Sequence, residues 1–422
     1  MSPALVIATW LRAPCLLTPI TITRSSASDV YEDAILDPAG LMSKFGYNVE
    51  VHNVTTEDGY ILEVDRIRPK TPKNDSTKKR TPILLVHGLF CNAATWVANQ
   101  PSQSPGFLLA DAGFDVWLIN SRGVPQSNRH VNLSTDNPKF WEWSFDEIGR
   151  YDLPAVVDWI LNMTGCTKVS ILATSRGTAS SLVFLSMRPE YNKKVNILVN
   201  YAPVANVTHI TSPIRRLTPV AEKIKTINDL FTHGAFMVQT QAKRRSTAKV
   251  CDSILRNGCY LPVSTLYGIN WKQHNSTRVP VYLNNLLVGS SSQDVVHFAQ
   301  MHRPKNFVRY DYGPKQNKIK YKQETPPAYP LDKICVPVAV YQGHTDYLAD
   351  PKDVENFCKR LPNIVHRYKV PDPNFGHLDF IFGFNATDIL HRNMIDLVSN
   401  YTFDGARVQD LNKASYHNNN IL

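Results

Sequence analysis

Short blocks of consecutive apolar residues alternate along this chain with stretches in which apolar residues recur every three or four positions. The first pattern suits strands buried on both faces, the second helices that bury one face. Tyr47 to Thr55 and Thr56 to Ile67 are β-rich runs around the pair Asp58-Gly59, which predicts a hairpin. Ile83 to Val86 and Phe114 to Ile119 predict two buried strands, with a helix closing at Ala110 to Gly113 between them. Phe140 to Phe145 is an aromatic cluster that reads as core packing, and Asp146 to Leu161 carries a helical period through Ile148, Leu153, Val156, Val157 and Ile160. Val169 to Leu172 predicts a further strand, followed by a helix to about Arg188 and a strand over Val195 to Val199. This alternation predicts an α/β fold with a mainly parallel sheet flanked by helices.

The rhythm stops after Val204. Ile214, Leu217, Val220, Ile224, Ile227 and Phe231 fall at helical steps and predict an amphipathic helix. Val295, Phe298, Ala299 and Met301 mark another, opened by Ser291-Ser292-Gln293-Asp294. Strand and helix resume with Val336 to Tyr341, a helix near Asp350 to Leu361 and a strand over Val365 to Val370. The expected organisation is a core over 29–204, an inserted, mostly helical cap over 205–331, the rest of the core over 332–402 and a polar tail over 403–422. Residues 1–28 form a leader: apolar runs at Ala4 to Leu11 and Cys15 to Ile22, divided by Arg12, read as a degenerate signal peptide ending near Ser25 to Ser28.

Composition adds a compartment and a charge asymmetry. The apolar content of 43% and charged content of 19% are those of a globular protein, and no run approaches the length of a membrane span. Eight N-x-S/T sequons, at Asn53, Asn74, Asn132, Asn162, Asn206, Asn275, Asn385 and Asn400, suit a lumenal surface. Of seven cysteines, Cys15 leaves with the leader, Cys251 and Cys259 enclose a short loop and predict a local disulfide, and the other four read as buried thiols. Residues 205–331 carry 18 Lys+Arg against 6 Asp+Glu, so they hold the whole excess behind the net charge of +10. No zinc spacing or aromatic-basic motif points to nucleic acid. A surface that meets anionic lipid or fatty acid accounts for the asymmetry, as does a solvated basic face.

The candidate chemistry centres on Ala173-Thr174-Ser175-Arg176-Gly177, which joins the predicted strand Val169 to Leu172 to the helix after it. Small residues two before and two after the serine suit a crowded strand-turn-helix that lifts its hydroxyl clear of the sheet. An ordinary serine cap on a helix reads equally well from these five residues. A serine nucleophile needs a base, and the base an orienting acid. Asp346 lies on the loop after one buried strand and His377 past the last, so Ser175, Asp346 and His377 form a candidate triad. Asp350 and Asp379 are rival acids and His344 a rival base. His87-Gly88, at the end of its strand, is where a backbone that binds an oxyanion would begin.

Further stretches narrow the reading. They are Thr55 to Leu62, His87-Gly88-Leu89, Leu109 to Trp117, Asn120-Ser121-Arg122-Gly123, Tyr151 to Ala155, Ala202 to Ala205, Asp346 to Asp350 and His377 to Ile381. On these residues the chain resembles the acid lipase family of gastric and lysosomal lipases, over roughly Leu41 to Leu397. The resemblance implies an α/β-hydrolase fold with a helical cap, no metal or organic cofactor, a secreted or lysosomal setting, and action on triacylglycerols or sterol esters at a lipid–water interface. It maps the nucleophile, acid and base onto Ser175, Asp346 and His377, the oxyanion-binding N–H groups onto Leu89 and Arg176, and a cap disulfide onto Cys251 and Cys259. Where the family usually has Gly-His-Ser-Gln-Gly, this chain has Ala173, Thr174 and Arg176. Arg176 keeps its N–H, but its larger charged side chain is expected to alter acyl fit or seek a carboxylate. A weakened lipid-binding relative and an esterase for short soluble esters are the competing functions.

Overall fold

The structure, a computed structural model, describes residues 27–68, 80–252, 256–268, 270–302 and 306–401. The first 26 residues of the expected leader, most of the loop Pro69 to Thr81, the sequon at Asn74 and the tail from 402 onward lie outside the described residues.

The chain builds one sheet from β1 (Asn48–Thr55), β2 (Tyr60–Arg68), β3 (Pro82–Val86), β4 (Asp115–Ile119), β5 (Val169–Thr174), β6 (Val195–Tyr201), β7 (Val338–Gln342) and β8 (Ile364–Lys369). Their order is β1-β2-β4-β3-β5-β6-β7-β8, with the short strand Arg129–His130 added on β2. The β1–β2 hairpin is antiparallel, as is its junction with β4, and every pairing from β4 to β8 is parallel. Strands β3 to β6 are buried along their whole length, which is why they are written as unbroken apolar runs. At the edge, β8 alternates between half-buried and exposed residues.

Helices cover the sheet. On it pack α2 (Leu153–Thr164) and α3 (Arg176–Met187), which follows β5 directly, whereas α1 (Ala27–Ile35) packs on helices inserted between β6 and β7. Between β6 and β7 come α4 (Ala221–Thr232), α5 (Gln241–Cys251), α6 (Arg256–Tyr267), α7 (Val279–Leu286) and α8 (Ser292–Met301). The helix α9 (Pro351–Cys358) lies between β7 and β8.

Three expectations change. The helix read over Asp146 to Leu161 is a short α turn, a π turn over Ile148–Asp152 and then α2, because Pro154 has no N–H to carry the regular ladder. The stripe from Ile214 to Phe231 spans a 3-10 segment, Pro213–Val220, and then α4, with Pro219 at the break. Instead of being buried, Leu217, Ile227, Leu230 and Phe231 are exposed, Phe231 by 81%. The Cys251–Cys259 disulfide joins α5 to α6, and Cys91, Cys166 and Cys358 are buried thiols, but Cys335 is exposed. Among the described sequons Asn206 is buried, so it is a poor acceptor in the folded chain.

One ion cluster fixes the end of β4 to its surroundings. The Arg122 guanidinium, fully buried, donates to both oxygens of Asp58 at 2.7 and 2.9 Å and to Asp152 at 2.8 Å, and stacks 3.9 Å above the Tyr60 ring. It thereby joins the β1–β2 turn, the loop after β4 and the start of α2. Arg122→Met leaves two carboxylates without their counter-charge and should cost about 3–5 kcal/mol of stability, read by denaturant unfolding.

Candidate active site

Ser175 stands between β5 and α3 with φ 53° and ψ −122°, a left-handed conformation that only surrounding structure can hold. Its N–H donates to the Tyr201 carbonyl at 3.1 Å, and Thr178 donates to the Ser175 carbonyl from its N–H at 2.9 Å and its hydroxyl at 2.5 Å. A Cβ on Gly177 would lie 2.3 Å from the Val86 carbonyl oxygen, so the second position after the serine must be glycine. Ala173, two before it, is buried without difficulty.

The loops after β7 and β8 bring the other two candidates to this turn. His377 Nε2 lies 2.8 Å from Ser175 Oγ, and His377 Nδ1 lies 2.8 and 2.9 Å from the two oxygens of Asp346. The carboxylate faces Nδ1, so Nδ1 carries the proton and Nε2 accepts from the serine hydroxyl. Asp346 also accepts from the N–H groups of Leu348 and Ala349 at 2.9 and 2.7 Å, which fixes its rotamer. Asp346 and His377 are buried and Ser175 half-buried. The rivals are elsewhere: Asp350 caps α9 through the Lys352 N–H, and His344 takes no part in this chain of hydrogen bonds.

Known proteins resemble this chain over most of its length. The family described as a partial alpha/beta-hydrolase lipase region matches residues 39–100, and the alpha/beta hydrolase fold family matches 81–223. Human lysosomal acid lipase/cholesteryl ester hydrolase is 37% identical over 368 residues, 86% of this chain and 90% of its own. Bovine gastric triacylglycerol lipase is 34% identical, covering 87% and 92%, and human lipase member K is 35% identical over the same shares. The chain belongs to the acid lipase family.

Against the motif usual in acid lipases, the centre of this site is altered, and the structure places the altered residues. Leu89 follows Gly88, whose Cβ position would be 3.3 Å from Ser175 Cβ, so the loop after β3 lies against the serine. Arg176 is the first residue of α3, where a backbone N–H has no acceptor within its own helix. Its guanidinium is buried, donates to Asp294 of α8 at 3.1 Å and lies 3.3 Å from His87 Nδ1. Thr174 is buried. Sequence reasoning marked Asp294 only as part of the polar start of a helix; its pairing with Arg176, 118 residues away, has no local signal.

Asp379 supports the histidine rather than replacing Asp346. Its Oδ2 accepts from the Gly376 N–H at 2.7 Å, bracing the loop that carries His377. Burial, with a smaller push from Asp372, raises its carboxyl from the ordinary 3.8 to about 8. Burial also raises Glu63 and Glu147 to about 7 each. Among the described residues no three metal-ligating side chains converge. A carboxyl raised on folding adds stability that is complete below its unfolded value and is lost as pH rises through the folded one. Melting temperature should therefore fall from about pH 7 to pH 8, whereas at lower pH His274, His297 and His391, held by burial at about 4, 4 and 3, oppose that trend. Asp379→Asn, which keeps an acceptor for Gly376, should flatten part of that fall.

Proposed function

We propose that this chain is a serine carboxylic ester hydrolase acting on neutral lipid esters, with Ser175 as nucleophile, His377 as general base and acid, and Asp346 as its orienting carboxylate. The observation that carries the reading is the continuous hydrogen-bonded chain from Ser175 Oγ through His377 to Asp346. Ser175 Oγ attacks the ester carbonyl as His377 Nε2 takes its proton. The N–H groups of Leu89 and Arg176 hold the oxyanion, each donor contributing about 3 kcal/mol in comparable sites. His377 then protonates the departing alcohol, leaving the acyl group on Ser175. Water attacks this ester, His377 again takes and returns a proton, and the fatty acid leaves with Ser175 restored.

The choice of triacylglycerol or sterol ester as substrate class is supported by the relatives, which are named for those activities. Their names, the sequons and the disulfide support a secreted or lysosomal setting. Residues 205–331 serve as a cap: the Tyr267 ring lies 5.7 Å from that of His377, and the N–H groups of Thr211 and Ser212 donate to the Tyr347 carbonyl beside Asp346. The exposed apolar face of α4 meets the lipid surface.

Ser175→Ala should fold normally, fail to label with a fluorophosphonate and lose ester hydrolysis toward roughly the millionfold effect of removing a triad serine. Retained activity overturns the assignment, and a wild type that does not label points instead to a non-catalytic lipid binder. Activity across acyl lengths, below and above substrate solubility, separates a lipase from a short-chain esterase. Replacing Leu230 and Phe231 by serine should weaken hydrolysis of emulsified lipid about tenfold or more, from the lost apolar contact, while leaving a dissolved ester nearly untouched.

A further inference from the structure

The side chain of Arg176 is where this chain departs most from the acid lipase motif, and its surroundings are built rather than incidental. The Asp294 carboxylate accepts three hydrogen bonds: Oδ1 from the Phe145 N–H at 2.8 Å, and Oδ2 from Ser290 Oγ at 2.9 Å and from Arg176 at 3.1 Å. Both charges are buried, Arg176 by 98% and Asp294 completely. Such a pair costs desolvation to assemble and is a poor source of net stability, so its value is in what it holds in place.

Two things are held. The first is the head of α3, whose leading N–H is that of Arg176 itself. The second is reached through His87. The Ser121 N–H, which can only donate, points at His87 Nε2 at 3.1 Å, so Nε2 is the acceptor and Nδ1 carries the proton. Nδ1–H donates to the Gly88 carbonyl at 2.9 Å. The guanidinium 3.3 Å from Nδ1 is therefore a charged contact and not a hydrogen bond, and together with burial it keeps His87 neutral. The Gly88 carbonyl and the Leu89 N–H belong to one trans peptide and point in opposite directions. Fixing that carbonyl fixes the direction of the Leu89 N–H.

We propose that the Arg176–Asp294 pair is a positioning device that sets both oxyanion-binding N–H groups, that of Arg176 directly and that of Leu89 through neutral His87. This rests on the hydrolase reading of the site. Because Asp294 belongs to α8, the cap itself holds the nucleophile turn in register.

The test uses the full chain and p-nitrophenyl butyrate below its solubility limit, with fluorophosphonate labelling and thermal unfolding in parallel. Asp294→Asn should lower kcat about tenfold to a hundredfold, the scale of a misplaced catalytic group, with KM little changed and slower labelling. The double variant Arg176→Gln with Asp294→Asn has no buried charge and should lose no more than Asp294→Asn alone, because the two residues act as a unit. A folded Asp294→Asn with kcat and labelling at wild-type level overturns the proposal, as do losses that multiply in the double variant. If Asp294→Asn does not fold, Arg176→Gln and the double variant decide by the same kcat criterion. A wild type that neither labels nor hydrolyses overturns the hydrolase reading itself, whereas a reactive wild type with an unaffected Asp294→Asn overturns the positioning role alone.

Discussion

The approach of α3 to the main chain of β3 is the constraint on which the rest of the site depends. With the Gly177 Cβ position 2.3 Å from the Val86 carbonyl, the chain turns from β5 into α3 in a space that only glycine leaves open. That crowding holds Ser175 at φ 53°, a conformation that costs on the order of 1–3 kcal/mol and is kept by bonds from Ser175 to β6 and from Thr178 back to Ser175. The parallel order of β3 to β8 brings every strand end to one edge, so the loops after β7 and β8 deliver Asp346 and His377 to the same point.

The parts legible in the sequence are those where local pattern and tertiary role coincide. Strands covered on both faces have no polar side to present, so β3 to β6 stand out as apolar runs. The turn at Ser175 is written in small residues flanking a serine, and the order Ser175, Asp346, His377 follows the order of strands. The chain hides what depends on distant partners. Nothing near Arg176 announces Asp294, and nothing near Asp379 announces that its carboxyl faces a backbone N–H in an apolar setting. The stripe of α4 reads as a buried face because periodicity reports amphipathicity and not what the apolar side meets.

The two buried guanidinium groups differ in a way that matters. Arg122 is met by two carboxylates and a tyrosine ring and joins three segments of the core. Arg176 is met by a single carboxylate from α8 and by the His87 imidazole, whose pKa burial and the guanidinium lower. The first is a structural clamp around the end of β4; the second ties α8 to the turn that holds Ser175.

The buried carboxyls carry a consequence for how the chain acquires its fold. Asp379, Glu63 and Glu147 titrate near 4 in an unfolded chain, but at about 8, 7 and 7 in the folded one. Between those limits the unfolded chain has released protons that the native structure retains. For these three groups folding in a near-neutral compartment draws protons from the solvent, while His274, His297 and His391, held low by burial, release them, so the reaction has a stoichiometry in hydrogen ions as well as in buried surface.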